Sequence, residues 1–170
     1  KHKWDVVVIP VSPQLQVDDK YDTFILKNGY CGAFLMGFAL HDEWMNQLKT
    51  TTMPTVLFDN YIEHNPNVAY VGTDSYEGID LAIKHLHNLG HKKIAFINGS
   101  LFSLVSDQRQ EAFENSMHDS GLEVYPELMG HGYYIPETAQ YYVSNFIAAG
   151  ATAIVCGSDA IAKGVISECT

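Results

Sequence analysis

The strongest constraint in this sequence is a rhythm in which short, β-branched apolar runs alternate with stretches whose apolar residues recur at helical spacing. Val6-Val7-Val8-Ile9 is apolar at every position and closed by Pro10, the pattern of a parallel strand covered on both faces. Residues 18–27 read as a helix ending at Asn28-Gly29, and residues 33–38 as the next strand. Residues 41–49 carry Trp44, Met45 and Leu48 at helical spacing, until Pro54 introduces the strand Thr55-Val56-Leu57-Phe58. Residues 61–67 form a polar connection and residues 68–71 a short strand. Asp74-Ser75-Tyr76-Glu77 then has the capping-box arrangement that starts a helix, with Ile79, Ile83, Leu86 and Leu89 as its apolar stripe and Gly90 as its end.

The same rhythm begins again at residues 94–97. A helix over residues 107–120 closes at Gly121, residues 127–134 read as a strand, and residues 137–149 as a helix closed by Gly150. Ala153-Ile154-Val155-Cys156 is a strand whose exit, Gly157-Ser158-Asp159, feeds a helix from Ala160 onward. Strand and helix alternation of this kind predicts an α/β fold with doubly wound parallel sheets, here in two lobes. The division is expected at Gly90-His91, giving lobes over residues 1–90 and 91–170.

Charge and cysteine usage narrow the chemistry. Twenty acidic residues against ten basic ones give a net charge of −10, which repels a phosphate backbone, so this segment is not itself a nucleic-acid binder. Lys92 and Lys93 are the only adjacent basic pair after the first residues, which leaves no stripe for DNA or anionic lipid. Cys31, Cys156 and Cys169 include no C-x-x-C pair, arguing against a disulfide scaffold or thiolate zinc site and for a reducing, cytoplasmic setting. No apolar run reaches the roughly 18 residues that span a bilayer. Lys1-His2-Lys3-Trp4 leads directly into the first strand.

Several segments then match a known pattern in both order and spacing. These are Pro54-x-Val56-x-x-x-Asn60, Val71-x-x-Asp74-x-x-x-Gly78, His85-Leu86-x-x-x-Gly90-His91-Lys92-Lys93-Ile94-Ala95-Phe96, Arg109-x-x-Ala112-Phe113 and Ser158-Asp159-x-x-Ala162-x-Gly164. The chain from Met53 to Gly164 resembles the LacI/GalR bacterial transcription regulators, and the Gly90 to Phe96 segment is the most specific piece. Ala112 departs from the family's usual glycine. The resemblance implies a periplasmic-binding-protein-like effector core, incomplete at both ends. The family's helix-turn-helix, the first strand and helix of its first lobe, and everything after its last matching helix have no counterpart here. A sheet lacking an interior strand leaves backbone groups unpaired. The resemblance also implies a homodimer that reaches operator DNA only through the missing N-terminal part.

In open parallel sheets ligands sit beyond the carboxyl ends of the strands, so the effector is expected in the cleft between lobes. The resemblance assigns effector binding to Asp159 and Arg109. A carboxylate accepts two hydroxyl protons, and a guanidinium donates in a planar fork, which suits a carbohydrate. By spacing alone Asp159 reads equally as a helix N-cap, and Arg109 as a solvated helix residue. Asp74, Tyr76 and Glu77 are candidates at the first lobe's loop, where an aromatic face can stack on a sugar ring; for Asp74 and Glu77 the alternative is the capping box alone. Phe102, Ser103 and Ser106 are candidates for a loop that closes over the ligand. His85, His87 and His91 read as helix C-terminal residues rather than metal ligands, and Tyr133-Tyr134 and Tyr141-Tyr142 as core and rim.

No phosphate-cradling glycine motif and no nucleophile elbow is present, so neither a cofactor nor an enzyme activity is expected. The competing functional reading is a sugar-binding protein of an ABC-type transport system, which shares the fold. A hydrolase or kinase on a similar sheet is the third.

Overall fold

The computed structural model describes residues 4–170, so positions 1–3, read above as the lead into the first strand, lie outside the described residues. It divides into two compact units, the first reaching Val71 and the second spanning Gly72–Thr170.

The first unit contains helices α1 (Pro13–Asp18) and α2 (Tyr21–Lys27), strand β1 (Ala33–Leu35), helix α3 (Glu43–Gln47) and strands β2 (Thr55–Phe58) and β3 (Val68–Val71). The strands form a parallel sheet in the order β1-β2-β3. One face, through Leu35 and Leu57, joins Tyr21, Ile25, Trp44, Met45 and Leu48 in a single core. Polar bonds tie these short elements together. The Tyr21 and Thr55 hydroxyls lie 2.6 Å apart in the core, Trp44 Nε1 donates to Asp19 O at 2.8 Å, and the Asp22 carboxylate accepts from Thr51 and Thr52.

Val6-Val7-Val8-Ile9, expected as a strand, belongs to no sheet, and Val6 and Val8 are almost wholly exposed. A parallel strand exists only where a neighbour supplies its hydrogen bonds, and none of the described segments pairs with this one. The helix expected over residues 18–27 is shortened to α2, and a separate short helix, α1, precedes it; the Ser12 hydroxyl caps α1, and the extended Asp19 parts the two.

The second unit opens with α4 (Ser75–Asn88) and continues through β4 (Ile94–Asn98), α5 (Leu104–Asp119), β5 (Met129–His131), α6 (Val143–Ala148), β6 (Ala153–Cys156) and α7 (Asp159–Cys169). Its sheet is parallel in the order β5-β4-β6. All five residues of β4 are buried. Ile94 and Phe96 face α4 and α5 through Ile83, Phe113 and Met117, while Ala95 and Ile97 face α6 and α7 through Val143, Phe146 and Ile161.

The division at Gly90-His91 is therefore corrected to the step after Val71. Gly90 does end α4 with a φ of 91°, but Ile79 and Ile83 of that helix pack into the second unit's core. The helix end and the domain boundary are different events. Two further expectations are shortened: residues 127–134 contain a 3-10 turn followed by the three residues of β5, and residues 137–149 a 3-10 turn followed by α6.

Candidate functional site

The three strands of the second sheet each exit into glycine: Gly99 after β4, Gly132 after β5 and Gly157 after β6. Gly157 N donates to Ile97 O at 2.7 Å and Gly132 N to Asn98 O at 2.8 Å, which continues the sheet pairing by one step. A Cβ at position 157 would lie 2.8 Å from Gly99 N, so this close backbone approach admits no side chain.

Helix α5 carries the polar groups to this edge. Ser103 is its N-cap position, and Ser106 and Arg109 follow at three-residue steps, which on a helix makes them neighbours. The Ser106 hydroxyl lies 3.0 Å from Tyr134 Oη and the Ser103 hydroxyl 3.5 Å from it, at the β5 exit. Arg109 Nη1 donates to Gly157 O at 2.6 Å, at the β6 exit. Buried Asn98 locks the helix to the sheet, its amide donating to Ser106 O at 2.8 Å and its Oδ1 accepting from Gly99 N at 2.8 Å.

Asp159 is the first residue of α7, and its alternative reading as N-cap is resolved by its neighbour. The cap is Ser158, whose hydroxyl accepts from Ile161 N at 3.3 Å, so the exposed Asp159 carboxylate has no cap duty. Arg109 and Asp159 share the wall of an open depression of about 510 Å³, whose apolar side includes Ile79 and Leu86. A single guanidinium offers five donors. One of these is held by Gly157 O. Burial pushes the Cys156 thiol, also on this wall, up to about 11, so it contributes a neutral, weakly polar surface.

The other sequence candidates are placed elsewhere. Asp74 is the N-cap of α4, its Oδ1 accepting from Glu77 N at 3.0 Å. Tyr76 Oη donates to Asp119 Oδ2 at 3.3 Å, in the last turn of α5. Asp119 is ten residues from Arg109, about 15 Å along the helix at the usual rise. The structure therefore joins Asp159 with Arg109, and Ser103 with Ser106, whereas Tyr76 bonds to the opposite end of α5 from Arg109 and Asp74 caps α4 through the Glu77 amide. Phe102 lies on the β4–α5 connection, with a positive φ of 61°.

Sequence reading missed Tyr134, which it took for core or rim, and Asn98. The signal for Tyr134 was conformational. Gly132 to Ile135 is a tight turn closed by Ile135 N donating to Gly132 O at 2.9 Å, with Tyr133 at φ 50° and Tyr134 at φ 61°. Two left-handed central residues make a type I′ turn, normally built from Asn and Gly. Two tyrosines there cost roughly 1–3 kcal/mol each and persist only where the surroundings hold them. Among the described residues no three metal-ligating side chains converge.

Residues 39–168 match the model of the periplasmic binding protein domain. This chain belongs to that family. The resemblance of the chain to the LacI/GalR regulators holds as well. The chain is 31% identical over 147 residues to the HTH-type transcriptional repressor PurR of Actinobacillus pleuropneumoniae, a match covering 84% of this chain and 43% of that protein. Among solved structures, the transcription regulator CcpA of Lactococcus lactis superposes with a TM-score of 0.75 at 24% identity, over 91% of this chain and 56% of that one. The complex of the transcriptional regulator CelR with cellobiose gives 0.76 at 19% identity, over 92% and 50%. The chain thus spans under half the length of the curated relative it matches.

Proposed function

We propose that this chain is the effector-sensing part of a LacI-type transcription regulator, binding a small polyhydroxylated molecule at the carboxyl ends of the second unit's strands. The observation that carries this reading is the face of α5, which sets Ser103, Ser106 and Arg109 in succession across the β5 and β6 exits, with Asp159 beside Arg109. Hydroxyls that donate and accept, a donor-only guanidinium and an acceptor carboxylate together match the alternating donors and acceptors of a sugar. The CelR structure supports the carbohydrate class, since it was solved with cellobiose.

Sensing needs a ligand that binds two arrangements of the protein with unequal affinity, shifting their populations. The output is operator binding through a DNA-reading segment outside this sequence, in a cytoplasmic homodimer without enzymatic activity. The net charge of −10 agrees with this division of labour, because the sensing part does not hold DNA itself. The repressors among its relatives favour regulation over a transport-system binding protein.

The test is a thermal-shift screen of the full-length protein against mono- and disaccharides, repeated with Asp159→Ala and Arg109→Ala. A ligand that binds only the folded state raises the melting temperature by mass action. The expected outcome is a sugar-specific rise of several degrees that both substitutions abolish. No shift with any sugar, or shifts that survive both substitutions, would overturn the assignment.

A further inference from the structure

We infer that Asn28 is a site of spontaneous covalent modification, where the backbone nitrogen of Gly29 displaces the side-chain amide and the residue becomes aspartate or isoaspartate. The modification takes apart the cap that ends α2.

The sequence contains two Asn-Gly steps, Asn28-Gly29 and Asn98-Gly99. Glycine after asparagine hinders ring closure least, because no Cβ stands beside the attacking nitrogen. The structure tells the two steps apart by their access to solvent. Asn28 and Gly29 are both exposed at the end of α2. Asn98 is 1% exposed and Gly99 is buried, its nitrogen so close to Gly157 that a Cβ at position 157 would lie 2.8 Å from it. Ser106 O also holds the Asn98 amide. Ring closure needs the backbone to turn and hydrolysis needs water, and only the first step has room for both. Among the described residues Gly29, Gly90, Gly121 and Gly150 end helices at positive φ, and of these only Gly29 follows an asparagine.

The reaction consumes water alone. Hydroxide removes the Gly29 N–H proton, the nitrogen bonds to Asn28 Cγ, and the Cγ–Nδ2 bond breaks. The departing nitrogen takes a proton from water and leaves as ammonia, which regenerates the hydroxide. Water then opens the cyclic imide at either carbonyl, giving aspartate or, with the chain rerouted through the side-chain carbon, isoaspartate.

The bonds at stake define the cap. Gly29 N donates to Leu26 O and Tyr30 N to Ile25 O, each at 3.0 Å, a Schellman pair accompanied by the Tyr30 ring against Phe24 at 6.2 Å between centroids. The Asn28 side-chain amide donates to Phe24 O at 2.8 Å. An exposed last turn is the part of a helix that opens at least cost, which frees Gly29 N to react. Either product loses the side-chain donor and places a negative charge at the carbonyl end of the helix. Lys27, the neighbouring cation, is already paired with Asp19. Isoaspartate also adds a backbone carbon ahead of Gly29, which breaks the Schellman register. Phe24 and Tyr30 pack on the core around Trp44, so the damage reaches the first unit's interior.

The full-length protein is incubated at physiological temperature at pH 8 and pH 6, and each asparagine is followed by site-resolved mass spectrometry as a gain of about one dalton. Chromatography separates isoaspartate from aspartate. Asn88, exposed but followed by leucine, and Asn98, buried but followed by glycine, serve as internal controls. Modification at Asn28 is expected at least tenfold faster than at either, and faster at pH 8 than at pH 6. A rate at Asn28 no greater than at Asn88 or Asn98 overturns the site. Aged native protein is expected to melt several degrees below fresh protein, whereas Asn28→Gln protein aged alike keeps the melting temperature it started with. An equal fall in both, or no fall in native protein modified at Asn28, overturns the uncapping.

Discussion

The two units are built from the same parallel three-stranded sheet, yet their central strands live in different surroundings. In the second unit β4 is buried along its whole length, because helices pack on both faces. In the first unit β2 alternates between buried and half-buried, since the helical core takes Leu57 and Thr55 while Val56 and Phe58 face the other way. Phe34 of β1 and Val71 of β3, on that second face, are each about half exposed at 53% and 52%. Apolar patterning is nearly equal in the two sheets. What differs is whether the chain around them supplies a second layer, and a parallel sheet depends on that layer for stability.

The largest effect that could break this contrast is in the apolar cores. Phe113→Ala, which removes a fully buried ring stacked on Phe96 at 4.8 Å between centroids, is expected to cost the second unit about 3–5 kcal/mol. Phe34→Ala is expected to cost the first less than about 1 kcal/mol. Urea denaturation followed by residue-resolved hydrogen exchange separates the two, and equal costs would mean that the first unit's open face is covered in solution.

A smaller effect sharpens the contrast through pH. The first unit leans on polar ties, among them Asp22. Burial pushes the Asp22 carboxyl up, but bonds from the Thr51 hydroxyl and from the Thr52 amide and hydroxyl outweigh it, leaving the pKa below the usual carboxylate value. A depressed folded-state pKa contributes stability above the unfolded value of about 3.9 and loses it as pH falls through the folded one. Asp22→Asn is therefore expected to lower the first unit's melting temperature at pH 7 and to leave it unchanged at pH 2. A difference that persisted at pH 2 would assign the effect to packing instead.

The smallest expected effect is chemical. Cys31 and Cys169 are exposed, whereas Cys156 sits in the second unit's sheet with its thiol pushed up to about 11 by burial. Alkylation at pH 8 should modify the first two well before Cys156. Equal rates would show that the β6 exit opens far more readily than its burial suggests.

Much of the fold was legible beforehand because its signals are local. Gly90, Gly121 and Gly150, expected as helix ends, all adopt positive φ, and strands at residues 55–58, 68–71 and 153–156 form where β-branched runs predicted them. Arg109 and Asp159 came from the family resemblance, which encodes spacing that composition does not. Tyr134 escaped notice because its role depends on a serine 28 residues away and on a turn whose strain no propensity scale favours.

The sequence by itself determined the order of elements, where helices start and stop, and which side chains are apolar, since each follows from interactions within a few residues. Only the tertiary structure decided that Val6 to Ile9 stays unpaired, that α4 belongs with the second core, and that Tyr76 goes to Asp119 rather than to Arg109. Those outcomes depend on which neighbour is available across the fold. Hydrogen bonds between strands and buried area between helices come into being only once distant segments have met.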